Sequence, residues 1–187
     1  MKNLTYRLHK SNQTVFTARE IALLLEETDT DIVKSKINYY AKRGEIIALR
    51  RGIYAKDPKY NEFELATKVY SPSYISFDTV LGIGGVTFQY DSRVFVASYM
   101  SRQIKVNEVG IFYKQIKNEI LLNPTGIVYK DGVAWASLER AFMDKIYLNP
   151  RQYFDNLSPI DWEKCKNLLP VYGGAIKIDT IKSYANN

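Results

Sequence analysis

Residues 34–56 read KSKINYYAKRGEIIALRRGIYAK. In the first half, together with the residues just before it, Val33, Ile37, Tyr40 and Ala41 recur at helical spacing and form one apolar face. Lys34, Ser35, Asn38 and Lys42 fall on the opposite face, with Tyr39 at its border. Lys42-Arg43-Gly44 ends the helix, because glycine takes a positive φ cheaply just past a helix terminus. Two short apolar runs follow, Ile46–Arg50 and Ile53–Ala55, hinged on Arg51-Gly52. A two-residue connection with glycine is a tight hairpin turn.

The residues upstream extend the pattern. Thr17-Ala-Arg-Glu20 is a capping box, in which the threonine hydroxyl and the glutamate carboxylate satisfy each other's backbone N–H groups. Ile21, Leu24 and Leu25 then continue a helix that the polar run Glu26–Thr30 closes. Thr28, Asp29 or Thr30 can cap the next helix. A short leading helix is expected over residues 3–12. The order helix, turn, helix, hairpin predicts a winged helix-turn-helix over residues 1–57. In it, Lys34, Ser35, Asn38, Tyr39, Lys42 and Arg43 would face a DNA groove or its rim, and Arg50 and Arg51 of the wing would lie along the phosphates.

The charge distribution points the same way. The 187-residue chain carries a net charge of +6. Residues 1–56 contain eleven lysines and arginines against six acidic residues; the rest of the chain is nearly balanced, fifteen against fourteen. A cationic excess concentrated in one small segment is the footprint of a polyanion binder, and otherwise of a solvated basic surface.

Asp57-Pro58 breaks the pattern and sets the expected boundary. Beyond it, residues 58–187 read as a mixed α+β domain. Helices are expected over Glu62–Tyr70, from Ser76 to Gly82, from Ser137 to Tyr147, from Asp161 to Leu169 and around Ile176–Tyr184. Strands are expected at 93–98, 102–106, 109–116 and 126–130, where branched and aromatic residues alternate with polar ones.

Signals for catalysis are weak. His9 is the sole histidine and Cys165 the sole cysteine, too few for a zinc cluster. Gly82-Ile-Gly-Gly85 lacks the Gly-Lys-Ser/Thr of a phosphate-cradling loop. Arg140 and Asp144 read as an ordinary i,i+4 ion pair. No catalytic residue, metal or cofactor is expected. A lone cysteine, no leader-like N-terminus and no apolar run of membrane length fit a cytoplasmic protein.

Three stretches carry a family resemblance: Leu49-Arg-Arg-Gly-Ile-Tyr-Ala55, Tyr74-Ile-Ser-Phe-Asp-Thr-Val-Leu81, and Ala136-Ser-Leu-Glu-Arg-Ala-Phe-Met-Asp144 followed by Lys145-Ile-Tyr-Leu148. In this order and spacing, from about Phe16 to Leu148, the chain resembles the antitoxin of the abortive-infection AbiE system, a bacterial type IV toxin–antitoxin pair. The resemblance implies a repressor that binds inverted repeats in its own promoter. It also implies a C-terminal domain that counters a nucleotidyltransferase-like toxin without a stable complex. A stand-alone regulator, or a winged helix used for protein interaction, is the alternative.

Overall fold

The computed structural model describes residues 4–89 and 91–186. Its first unit consists of α1 (Leu4–Lys10), β1 (Val15–Thr17), α2 (Ala18–Leu25), α3 (Thr30–Lys42), β2 (Ile47–Arg50) and β3 (Ile53–Ala55). The start expected for the leading helix, residue 3, lies outside the described residues. The local signals are used as read. Thr17 and Glu20 close the capping box, Asp29 caps α3, and Gly44 and Gly52 take φ of +71° and +78°. An unexpected strand completes the unit: β1 pairs antiparallel with β3, so the small sheet runs β1-β3-β2. Leu4, Leu8, Phe16, Ile21, Val33, Ile37 and Ile46 pack into a core beneath it, with Tyr40 and Tyr54 against its side.

The second unit adds α4 (Glu62–Val69), β4 (Ser73–Ile75), α5 (Phe77–Ile83), β5 (Val94–Ser98), β6 (Arg102–Val106), β7 (Val109–Gln115) and α6 (Asn118–Leu121). β8 (Ile127–Lys130), β9 (Val133–Ala136), α7 (Leu138–Leu148), α8 (Trp162–Leu168) and α9 (Ile178–Ala185) complete it. The mixed α+β class expected from sequence is thus present, but β4 and β9 were not expected. They are adjacent inner strands of a six-stranded sheet, β6-β7-β5-β4-β9-β8, with parallel pairs β5/β7 and β4/β9. Both are too short to show a period, and both become strands through their neighbours.

One face of this sheet carries α4: Phe63 stacks on Trp135 at 4.7 Å, and the Tyr113 hydroxyl donates to the Ala66 carbonyl at 2.7 Å. The other face carries α5 and α7, whose Asp144 receives the Tyr74 hydroxyl of β4. The helix expected from Ser76 begins at Phe77, with Ser76 in its N-cap position. The Ser76 hydroxyl makes no cap bond and instead donates to Asp144 at 2.8 Å.

The two units meet along α4. Val15 and Ile53 of the small sheet belong to the larger core. The fully buried Glu64 carboxylate accepts from the Thr14 and Val15 amides at 2.8 and 3.2 Å and from the Thr14 hydroxyl at 2.7 Å. Lys68, one turn on, donates to the Val15 carbonyl at 2.6 Å and to Glu20 at 2.8 Å. The expected boundary, Asp57-Pro58, falls between β3 and α4, and apolar packing continues across it.

Candidate nucleic-acid interface

Helix α3 turns Val33 and Ile37 into the small core and leaves Lys34, Ser35, Asn38, Tyr39, Lys42 and Arg43 exposed. This separation follows from the 3.6-residue period and holds every sequence-chosen side chain of the helix on one outward surface. The face is not uniformly free. Lys34 lies 3.0 Å from Asp31 in an exposed pair. Arg43 lies 2.6 Å from Glu45, donates to the Tyr39 hydroxyl at 3.1 Å and sits 5.3 Å from the Tyr39 ring centre. Glu45, then Tyr39, hold its guanidinium above the ordinary arginine value. Asn38, Ser35 and Lys42 keep their polar groups toward solvent. Asn38 can both donate and accept, as bidentate contact with an adenine edge requires.

The hairpin separates its two arginines. Arg51 is exposed at the turn. Arg50 is half-buried, with Nη2 3.4 Å from the Tyr70 hydroxyl and the guanidinium carbon 5.7 Å from the Tyr70 ring centre. It reaches back to the second unit. Sequence reading missed Arg19. It is exposed on the first turn of α2, and the neighbouring Ala18 amide bonds the Gly52 carbonyl at 2.9 Å, which brings Arg19 beside the Arg51 turn. The signal was in the capping box, whose second helical position is an arginine, but only the β1–β3 pairing shows what it borders.

The largest concentration of perturbed groups lies elsewhere. Arg140 and Asp144 on α7 form the i,i+4 ion pair expected from their spacing, but both are fully buried, so the pair is not an ordinary one. Asp144 accepts from Tyr74 at 2.9 Å, Ser76 at 2.8 Å, Tyr172 at 2.7 Å and Arg140 Nε at 3.3 Å. Arg140 also donates to the carbonyls of Thr125 and Ile120 at 2.7 and 2.6 Å, and to the Tyr74 hydroxyl at 3.0 Å. Burial pushes the Asp144 carboxyl above its ordinary value, against Arg140 and the three hydroxyls. Burial also opposes the charge on Arg140, yet Asp144 and the two tyrosines hold its pKa above the ordinary arginine value. Every group facing the Asp144 oxygens donates, an arrangement suited to the carboxylate, so the pair is charged. Sealed from solvent, the cluster ties α7 to β4, the start of α5, α6 and the 3₁₀ turn Leu169–Tyr172. It is a cross-link.

Among the described residues, no helix is long and apolar enough to cross a membrane. No protein-family model matches the chain, and no curated protein matches its sequence.

Proposed function

We propose that residues 1–57 form a winged helix-turn-helix that binds double-stranded DNA, and that the chain is a transcriptional repressor of its own promoter. One observation carries this reading. The second helix of a compact helical pair, α3, buries Val33 and Ile37 and leaves Lys34, Ser35, Asn38 and Lys42 uncovered on a single face. A major groove admits one helix, and side chains on its outward face reach base edges. The strand order β1-β3-β2 supports the reading, since it sets a hairpin beside that helix pair as a wing would be set. So does the cationic excess of this segment.

The resemblance of the three stretches extends the proposal. The chain acts as the antitoxin of a type IV pair, with residues 58–187 countering a nucleotidyltransferase-like toxin. The test has two arms. The full-length protein is titrated against a duplex from upstream of its own gene and against a scrambled duplex. Tighter binding to the first is expected; equal or no binding sinks the repressor reading. Co-expression with an adjacent nucleotidyltransferase-like gene should restore growth. Toxicity unchanged by co-expression removes the antitoxin and leaves a stand-alone regulator.

A further inference from the structure

The hairpin leans on the large sheet, and this contact lines up cations from both units. Leu49 packs against the larger core, while Arg50 lies against Tyr70 at the end of α4. Tyr70 stands edge-on to Tyr113 at 4.8 Å and to Tyr99 at 6.5 Å. Tyr113 of β7 is directly opposite Arg102 of β6. Opposed residues of an antiparallel pair share a face and lie about 5 Å apart. Tyr113 faces α4, because its hydroxyl bonds the Ala66 carbonyl, so Arg102 projects from that same face, exposed on an edge strand. Arg51, Arg50 and Arg102 therefore follow one another across the seam between the two sheets, with Tyr70 and the 37% exposed Tyr99 among them. Some surface cations near these two sheets are neutralised locally: Arg43 by Glu45, Arg93 by Asp91, and Lys105 by Glu108. Among the described residues, no carboxylate stands within ion-pair distance of Arg50, Arg51 or Arg102.

We infer that this strip is a second contact with the phosphodiester backbone, carrying the DNA footprint off the hairpin and onto the edge of the large sheet, with Arg102 as its outer phosphate contact. The inference rests on the DNA-binding reading above. A row of unneutralised arginines interleaved with tyrosine hydroxyls matches the donors that hold phosphates, and such contacts orient a protein on a duplex without reading sequence. Arg50 has a different part in it. Held on Tyr70, it fixes the turn against the second unit, so that Arg51 and Arg102 meet one rigid duplex together.

The test uses the full-length protein, its own upstream duplex and a scrambled duplex of equal length, titrated by fluorescence anisotropy over a series of salt concentrations. Arg102→Ala should weaken binding to both duplexes equally and make the slope of log affinity against log salt shallower by about 0.9, the loss of one phosphate contact. Arg102→Lys, which keeps the charge, should retain the wild-type slope. Arg151→Ala, a change of an exposed arginine on a distant loop, should leave the slope unchanged. If the wild-type protein binds and Arg51→Ala flattens the slope while Arg102→Ala does not, the footprint ends at the hairpin and the inference is overturned, with the DNA-binding reading intact. A slope that changes equally in Arg102→Ala and Arg151→Ala also overturns it, since net charge alone would then be responsible. If the wild-type protein binds neither duplex at any salt concentration, both readings fall.

Discussion

Helices α3 and α7 each carry an ion pair within one turn. In α3, Lys34 and Asp31 are 3.0 Å apart, with side chains 72% and 87% exposed. In α7, Arg140 and Asp144 are 3.3 Å apart and wholly buried. The shorter pair is the weaker one. In water, hydration competes for both ions and salt screens what attraction remains, so such pairs contribute about 0–1 kcal/mol. In α7, hydration has been replaced by fixed donors and carbonyls from distant parts of the chain. Neither partner can be removed without stranding the other. The difference also separates surroundings: the charges of the α3 pair lie in solvent, whereas those of the α7 pair are enclosed by the fold.

The most direct way to break this comparison is at α7. Arg140→Ala leaves a buried carboxylate without its counter-ion and is expected to cost about 3–5 kcal/mol of stability. Chemical denaturation of the variant checks this, and a loss below 1 kcal/mol would mean that the pair is not the cross-link described. Replacing both partners with apolar residues should cost less than either single change, because no charge is then left unpaired.

At α3 the expected effect moves from stability to binding. Asn38→Ala should lower the preference for the native promoter over scrambled DNA by about 1–3 kcal/mol, the worth of one good base contact. Its melting temperature should stay close to that of the wild type. Equal weakening on both duplexes would show that Asn38 does not read bases.

Between the two extremes lies the joint at α4. Burial raises the Glu20 pKa, but Lys68 and the Thr17 amide outweigh it and leave the carboxyl below its ordinary value. A depressed carboxylate stabilises the fold above its unfolded pKa, and this contribution is lost as pH falls from there through the lower folded value. Acidification through that window should loosen the contact between Glu20 and Lys68, and Glu20→Gln should remove that part of the acid dependence. Denaturation midpoints measured across the window decide the matter; parallel curves for the two proteins would refute the assignment.

The smallest stability effect is expected for Lys34→Ala, about 0.5 kcal/mol or less, since its pair is solvated. The same change should still flatten the salt dependence of DNA binding if Lys34 touches a phosphate. A residue silent in folding and audible in binding would sharpen the contrast with Arg140, for which the fold is the first thing lost.

The features legible in the sequence are those written within a few residues. Thr17 and Glu20 identify one helix start, Asp29 is among the caps offered for the next, and Gly44 and Gly52 mark a helix end and a turn, because each acts on backbone groups within one turn of itself. The outward face of α3 was legible for the same reason: its period of 3.6 residues is a local property. What lies between distant residues was not. β1, β4 and β9 are three or four residues long and become strands only by pairing with segments elsewhere in the chain. Arg50 and Arg51 are neighbours of the same type, yet one is committed to Tyr70, twenty positions away, and the other faces water. Arg140 and Asp144 have the spacing of any surface pair. Tyr74, Ser76 and Tyr172, 28 to 70 positions from Asp144, close over them. Local hydrogen bonding is encoded where it occurs, whereas burial is decided by whichever surfaces the assembled sheet brings together, and burial sets the worth of a charge.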